Sequence, residues 1–272
     1  MGTAARHDAW LIGEGYEAYV GRWSRLVARE FVAWLDALPA RRWLDVGCGT
    51  GALSQVILAD ADPAGIIGID QTSRFVAHAA AHTPDPRARF VIGDALDLPF
   101  PAASFDVAVS GLALNFFPDP VQAVREMARV AGAAGMVAAY VWDYAGGMEM
   151  MRWFWDAAAA LDSAASDLDE RRRFAARWHP EGLATLWREA GLDEVETRTF
   201  EVPTVFRDFD DYWNPFVAGQ GPAPGYVMSL PEARRDALRE RLRATLAAAG
   251  DGSIALAARA WAVRGAPGSG ES

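Results

Sequence analysis

The sequence has 272 residues, 51% of them apolar, enough to bury one sizeable core with an elaboration large enough to count as a subdomain. Its 36 acidic residues outnumber the 26 basic ones, and the resulting formal charge of −10 leaves no non-specific attraction to phosphate backbones, so nucleic acid is not an expected partner. Lysine is absent, which removes Schiff-base chemistry and covalently held pyridoxal phosphate, and the single cysteine, Cys48, excludes an intrachain disulfide and a thiolate metal cluster.

A reducing, cytoplasmic compartment fits this cysteine usage. Met1 to Gly15 has no basic segment leading into an apolar stretch, and nowhere do about eighteen apolar residues run uninterrupted, so neither secretion nor a membrane span is expected. Along the chain, Tyr16 to Leu38 carries Trp23, Leu26, Val27, Phe31 and Trp34 at helical spacing. A short β-like run, Arg41 to Val46, meets the glycine series Gly47-Cys48-Gly49-Thr50-Gly51 and then a helical stretch, Ala52 to Ala59. A second apolar run, Ile66 to Ile69, ends at Asp70 and is followed by a helix over Thr72 to Ala81. Ala88 to Ile92 ends at Gly93-Asp94, Phe105 to Val109 ends at Ser110-Gly111, and a helix from about Asp119 to Val130 precedes a fifth strand, Gly135 to Val141. Strands alternating with helices argue for βαβ units and a parallel α/β sheet with helices on both faces.

After Trp142 the pattern changes. Met148 to Leu161 reads as a helix, Asp162 to Arg173 as a charged helix and loop, and Glu181 to Ala190 as a helix closed by Gly191. Val195 to Val202 is a sixth strand, Phe206 to Pro224 an irregular aromatic and Pro/Gly-rich segment, Pro231 to Ala249 a helix and Ile254 to Val263 a last strand. The expected organisation is a helical lid segment over residues 1–38, a main domain over 39–264 with cap elements at about 145–180 and 206–250, and a disordered tail over 265–272.

A turn that packs a ligand against backbone needs residues without a β-carbon, and Gly47, Gly49 and Gly51 supply them at the carboxyl edge of the first strand, where open parallel sheets bind ligands. The same spacing also suits a tight strand-to-helix turn with no ligand. Asp70 at the end of the second strand has the place of a carboxylate that accepts from both ribose hydroxyls, or of an exposed loop acid. Asp94 at the end of the third is a candidate for an exocyclic amine of adenine, or a helix N-cap.

Trp43-Leu44-Asp45-Val46-Gly47-Cys48-Gly49-Thr50-Gly51 resembles the first motif of class I S-adenosylmethionine-dependent methyltransferases. Ile69-Asp70, then Gly93-Asp94-Ala95 with Leu98-Pro99-Phe100 and Ser104-Phe105-Asp106, resemble the second and third. The likeness is greatest to the type 11 group, which includes ubiquinone and menaquinone C-methyltransferases; it is strong over Arg41 to Tyr144 and thins beyond. It implies a Rossmann-like sheet of order 3-2-1-4-5-7-6 with the seventh strand antiparallel. It places Gly47, Cys48, Gly49 and Gly51 under the methionine part of S-adenosylmethionine, Asp45 as organiser of the turn and Asp70 on the ribose. Asp94 meets the adenine amine, Ala95 donates a backbone bond, Gln71 and Leu96 flank the ring, and Ser110 to Leu112 run along the methionine end. In relatives the amino-terminal segment folds over the cofactor, which makes Arg22 a candidate for its carboxylate and Tyr16 a shield from water, unless these residues only pack the first helix onto the sheet.

Methyl transfer from a sulfonium is an in-line displacement with a leaving group already activated by its charge, so alignment and exclusion of water supply most of the acceleration. A base is needed only if the acceptor must lose a proton. His179, in Trp178-His179-Pro180, is a candidate base or a helix cap, and Tyr140 and Asp143 leave the fifth strand toward the expected acceptor side. Asn115 stands where many relatives carry a histidine. Trp153, Phe154, Trp155, Phe209, Tyr212, Trp213 and Phe216 form a pocket lining or the core of a lid, and a small apolar or aromatic acceptor is expected.

Two rivals remain. A nicotinamide dehydrogenase shares the strand-turn-acid layout, but its Gly-x-Gly-x-x-Gly spacing is broken here, where position 52 is alanine. A cofactor-binding regulator without turnover is compatible with every motif. Ser110-Gly111-Leu112-Ala113 after the fourth strand is neither the Asp/Asn-Pro-Pro-Tyr/Phe motif of amino-group DNA methyltransferases nor the acid of the metal-dependent catechol type, and no metal is expected.

Overall fold

In the computed structural model, which describes residues 21–174, 176–218 and 221–268, the chain divides into two units. Of the described residues, one comprises 24–141, 177–200 and 260–268, the other 21–23, 142–176 and 201–259.

The first unit is built on strands β1 (Arg42–Val46), β2 (Gly65–Asp70), β3 (Ala88–Ile92), β4 (Val107–Gly111) and β5 (Met136–Trp142), with the long strands β6 (Leu192–Phe206, in this unit to Phe200) and β7 (Ile254–Pro267, in this unit from Ala260) completing the sheet. The order is β3-β2-β1-β4-β5-β7-β6, as the motif resemblance implies, and β1 pairs in parallel with β2 and β4, β2 with β3, and β4 with β5. β1 is buried from Trp43 onward and β5 almost throughout, because strands covered by helices on both faces can be apolar at every position.

The helices of this unit are α1 (Arg22–Leu35, in this unit from Ser24), α2 (Ala52–Asp60), α3 (Ser73–His82), α4 (Pro120–Ala131) and α7 (Pro180–Glu189). Helix α4 starts where Asp119 accepts from the Gln122 amide at 3.0 Å with Pro120 in the first turn, and stops at Gly132, whose φ of +70° no longer continues the helix. Its apolar face carries Val124, Met127 and Val130 into a core with Leu44, Val46, Ala108, Val137 and Trp187. The Trp187 indole donates to the Val137 carbonyl at 3.2 Å.

In the second unit lie α5 (Glu149–Leu161), α6 (Glu170–Phe174), α8 (Phe209–Val217), α9 (Pro222–Ser229) and α10 (Glu232–Thr245). The expected irregular segment over 206–224 is instead occupied by α8 and the start of α9. Phe209, Tyr212, Trp213 and Phe216 recur at helical spacing and are all buried, Asp208 caps the helix by accepting from the Asp211 amide at 2.8 Å, and this outweighs the break expected from Pro215. Phe216 stacks on Phe154 of α5 at 4.4 Å, and the Tyr212 hydroxyl donates to the Met150 carbonyl at 2.9 Å. The aromatic set is thus mainly a mutual core; Trp153, 40% exposed, is not part of it.

Residues 265–268, expected to begin a disordered tail, are ordered, since β7 runs to Pro267 and the Gly268 amide donates to the Gly191 carbonyl at 3.1 Å; the rest of that tail lies outside the described residues. Among the described residues no helix is long and apolar enough to cross a membrane, and no three His, Cys, Asp or Glu side chains form a metal-binding group.

Candidate ligand site at the strand ends

The turn after β1 is fixed by backbone bonds: the Gly47 and Cys48 amides both donate to the Ile69 carbonyl, at 2.8 and 3.1 Å, and the Gly51 amide to the Cys48 carbonyl at 2.9 Å. Gly47, Gly49 and Gly51 have φ of +72°, +51° and +88°, the left-handed region where a β-carbon is strained. Their surroundings differ. A β-carbon on Gly47 would lie 2.6 Å from Ala113 Cβ, and one on Gly51 3.1 Å from Ala79 Cβ, so protein packing claims both spaces. One on Gly49 would meet nothing within 4 Å. Of the three, Gly49 alone leaves open space against the backbone, where a ligand-packing role was expected of all of them. On β2 a β-carbon at Gly68 would lie 2.6 Å from the Phe90 ring and 3.0 Å from Cys48 Sγ, so this glycine too makes room for protein packing. Burial pushes the Cys48 thiol well above its ordinary range, and the Asp45 and Asp70 carboxylates add to the shift, so it is a packing group and not a nucleophile.

Asp70 ties the second strand to this turn. One carboxylate oxygen accepts from the Gly49 amide at 3.1 Å and the other from the Thr72 amide at 2.8 Å. Each oxygen retains a lone pair for a further donor. Asp45 is buried, with Oδ2 accepting from Ser54 Oγ at 2.7 Å and Oδ1 without a partner. Burial, with a contribution from nearby Asp70, pushes its carboxyl up to about 7. Asp94 is exposed and accepts from the Leu96 amide at 2.9 Å, closing a turn that carries Ala95 and Leu96, while Gln71 is exposed beside Asp70.

After β4 three features coincide. Ser110 Oγ is buried without a partner, Leu112 has a φ of +58°, and Asn115 has both amide atoms closed to water and unpartnered. Ala113 and Phe117 of this segment pack on Gly47. Strained backbone and unsatisfied polar groups of this kind concentrate where a fold is shaped for a ligand.

The three candidate bases have structural engagements. Tyr140 is buried with its ring 4.6 Å from Phe31. Asp143 accepts from Arg259 Nε and Nη2, at 2.8 and 2.6 Å, and from the Ala145 and Gly146 amides, which uses all of its accepting edge. His179 is the N-cap of α7, its Nδ1 accepting from the Gly182 amide at 3.4 Å with Glu181 alongside. Arg22 belongs to the second unit, where Nη1 donates to Asp211 at 3.0 Å; Tyr16 lies outside the described residues.

Residues 44–139 match the type 11 methyltransferase domain. The chain is 31% identical over 197 residues to 2-methyl-6-phytyl-1,4-hydroquinone methyltransferase of Synechocystis sp., which covers 69% of this chain and 58% of that protein. It is 37% identical over 131 residues to demethylmenaquinone methyltransferase of Roseiflexus sp., covering 47% of this chain and 55% of that one, so it spans little more than half the length of these curated relatives. Among solved structures, the YcgJ protein of Bacillus subtilis shares the fold with a TM-score of 0.57 at 19% identity, over 92% of this chain and 100% of that one.

Proposed function

Because residues 44–139 belong to the type 11 family of class I methyltransferase domains, we propose that the chain transfers a methyl group from S-adenosylmethionine to a small apolar aromatic acceptor of the quinone class. The observation that carries the reading is the coupling of Gly49 and Asp70: an amide that donates to a strand-terminal carboxylate, beside a position where a β-carbon would fill otherwise open space. The donor set suits an adenosyl sulfonium. Asp70 has lone pairs to spare for ribose hydroxyls, Asp45 keeps a dry, unpaired oxygen for an ammonium, and Ser110 Oγ and the Leu112 segment edge the methionine end. Asp94, Ala95 and Leu96 form the turn assigned to adenine, with Gln71 at its side.

The bound sulfonium supplies a methyl group on an activated leaving group. What the chain adds is placement and dryness: the glycine turn fixes one reactant against backbone, and apolar surroundings keep water from competing. No base is assigned to Asp143 or His179, whose accepting atoms are engaged in an ion pair and a helix cap. The quinone class is supported by the substrates for which the relatives are named, a hydroquinone and a demethylmenaquinone.

Calorimetry with S-adenosylhomocysteine is the first test, followed by release of that product from S-adenosylmethionine with a panel of quinols and phenols. Binding and turnover are expected. No heat from folded, ligand-free protein would sink the proposal, and tight binding with persistent silence toward every acceptor would make the chain a cofactor-binding regulator.

A further inference from the structure

Two of the chain's four histidines, His78 and His82, stand four residues apart on α3, a spacing that brings both side chains to one face of a helix. Their rings lie face to face, with centroids 4.0 Å apart and planes 18° from parallel. His78 is half-buried and His82 exposed, so solvent reaches the pair. The His82 ring is oriented by a bond between Nδ1 and the His78 carbonyl at 2.8 Å. A carbonyl only accepts, so Nδ1 carries a proton, and in the neutral ring Nε2 keeps a free lone pair.

The turn that carries the two rings is held in place by its neighbours. Gln55 of α2 donates through Nε2 to the His82 carbonyl at 3.3 Å and to Thr83 Oγ1 at 3.1 Å, and its Oε1 accepts from Arg25 Nη2 of α1 at 3.0 Å. Ala79, between the two histidines in sequence, is buried against the glycine turn. An imidazole that donates through one nitrogen to a backbone carbonyl, on a helix fixed by its surroundings, is oriented as metal-ligating histidines are. Opening the stacked rings about their side-chain bonds brings one nitrogen of each to the ~3 Å separation that two metal–nitrogen bonds of about 2.0–2.1 Å require.

We infer that His78 and His82 form a chelating site for a late divalent transition ion, Cu2+ or Ni2+, on the exposed face of α3. Ligand type and number select the ion. Imidazole suits copper, nickel and zinc, whereas magnesium and calcium take oxygen ligands. Among the described residues no third His, Cys, Asp or Glu completes a group, and Arg74, one turn back along the same stripe, has no lone pair to give. Two nitrogens with water in the remaining positions suit the tetragonal shell of Cu2+ or Ni2+, whereas a structural Zn2+ site takes four protein ligands, and the order of affinities places Cu2+ first. A chelate across this spacing exists only while the turn is helical, so the bound ion stabilises α3. The site lies wholly within the α/β unit and is independent of the methyl-transfer reading.

The test is calorimetry of the whole chain with nickel chloride, with magnesium chloride as the control for simple attraction to an acidic protein. Wild type is expected to bind Ni2+ selectively. His78→Gln and His82→Gln should each weaken that binding about tenfold or more, the size expected when the second contact is no longer intramolecular, and His7→Gln and His179→Gln should leave it unchanged. His82 is exposed, so His82→Gln serves if His78→Gln fails to fold. Ala80→His in a His82→Ala background keeps the number of histidines but turns the two rings to different faces, and should bind no better than His82→Gln. Electron paramagnetic resonance with Cu2+ should report two nitrogen ligands in wild type and one in His82→Gln, and Ni2+ should raise the unfolding midpoint of wild type alone. Binding that survives both single substitutions, that Mg2+ matches, or that Ala80→His restores in full would overturn the inference.

Discussion

Alanine at Gly47 and at Gly49 separates two reasons for a glycine that look alike in a sequence. Both residues have positive φ, which costs an alanine about 1–2 kcal/mol at either place. At Gly47 the new methyl also collides with Ala113 Cβ at 2.6 Å, an overpacking penalty of about 1–3 kcal/mol more. Gly47→Ala is therefore expected to lower the unfolding midpoint clearly more than Gly49→Ala does. Gly49→Ala places its methyl in open space and should instead abolish the calorimetric signal with S-adenosylhomocysteine while most of the stability remains. The opposite pairing of effects would show that the open space beside Gly49 is not where a ligand lies. The glycine spacing itself was legible in the sequence. What each glycine makes room for was not, because Ala113 and Ala79 reach the turn from distant elements and no local pattern marks them.

Elements with a clear period could be read in advance, and those whose stability comes from remote partners could not. The alternation of apolar runs with helical stretches between Arg41 and Trp142 predicts β1 to β5 and their helices, and the motif resemblance supplies the sheet order. Helix α8 was hidden by the reading of proline and glycine as breakers, although Phe209, Tyr212, Trp213 and Phe216 carried the helical spacing in plain view. Asp143 looked like a candidate base from its place after β5, and its partner Arg259 stands 116 residues further along the chain. That pairing makes a direct prediction for the second unit. Asp143→Ala leaves the Arg259 guanidinium, next to a nearly fully buried site, without its carboxylate and frees the Ala145 and Gly146 amides. Because the Arg259 side chain is 35% exposed and water can reach it, the loss falls below that of a fully buried pair, and chemical denaturation should register about 1–3 kcal/mol, with Asp143→Asn milder because it still accepts. A base would behave differently: full stability with collapsed turnover in Asp143→Asn would restore the catalytic reading.

For the molecule as a whole, two buried carboxyls set the pH dependence of stability. Burial pushes Asp45 in the α/β unit up to about 7, with Asp70 adding to the shift, and burial pushes Glu170 in the second unit up to about 7, with the Trp155 indole donating to it. In the unfolded chain both groups lose their protons near pH 4. Between about pH 4 and 7 the folded state thus binds more protons than the unfolded one, and stability falls as the pH rises, by up to about 1.4 kcal/mol per pH unit for each group. Below that window the sign reverses. Hydrogen bonds from Arg87, Arg42 and Arg129 hold Asp85, Asp106 and Glu126 below the ordinary carboxylate range, so protonating them in acid removes stability that they contribute at higher pH. The ligand-free protein is therefore expected to be most stable near pH 4 to 5 rather than at neutrality. Urea denaturation at pH 5, 6 and 7 measures the slope, and the double variant Asp45→Asn with Glu170→Gln should flatten it. A wild-type stability that climbs from pH 5 to 7 would mean that both carboxyls ionise freely in the fold, and that the dry, unpaired oxygen of Asp45 on which the ammonium assignment depends is in fact reached by water.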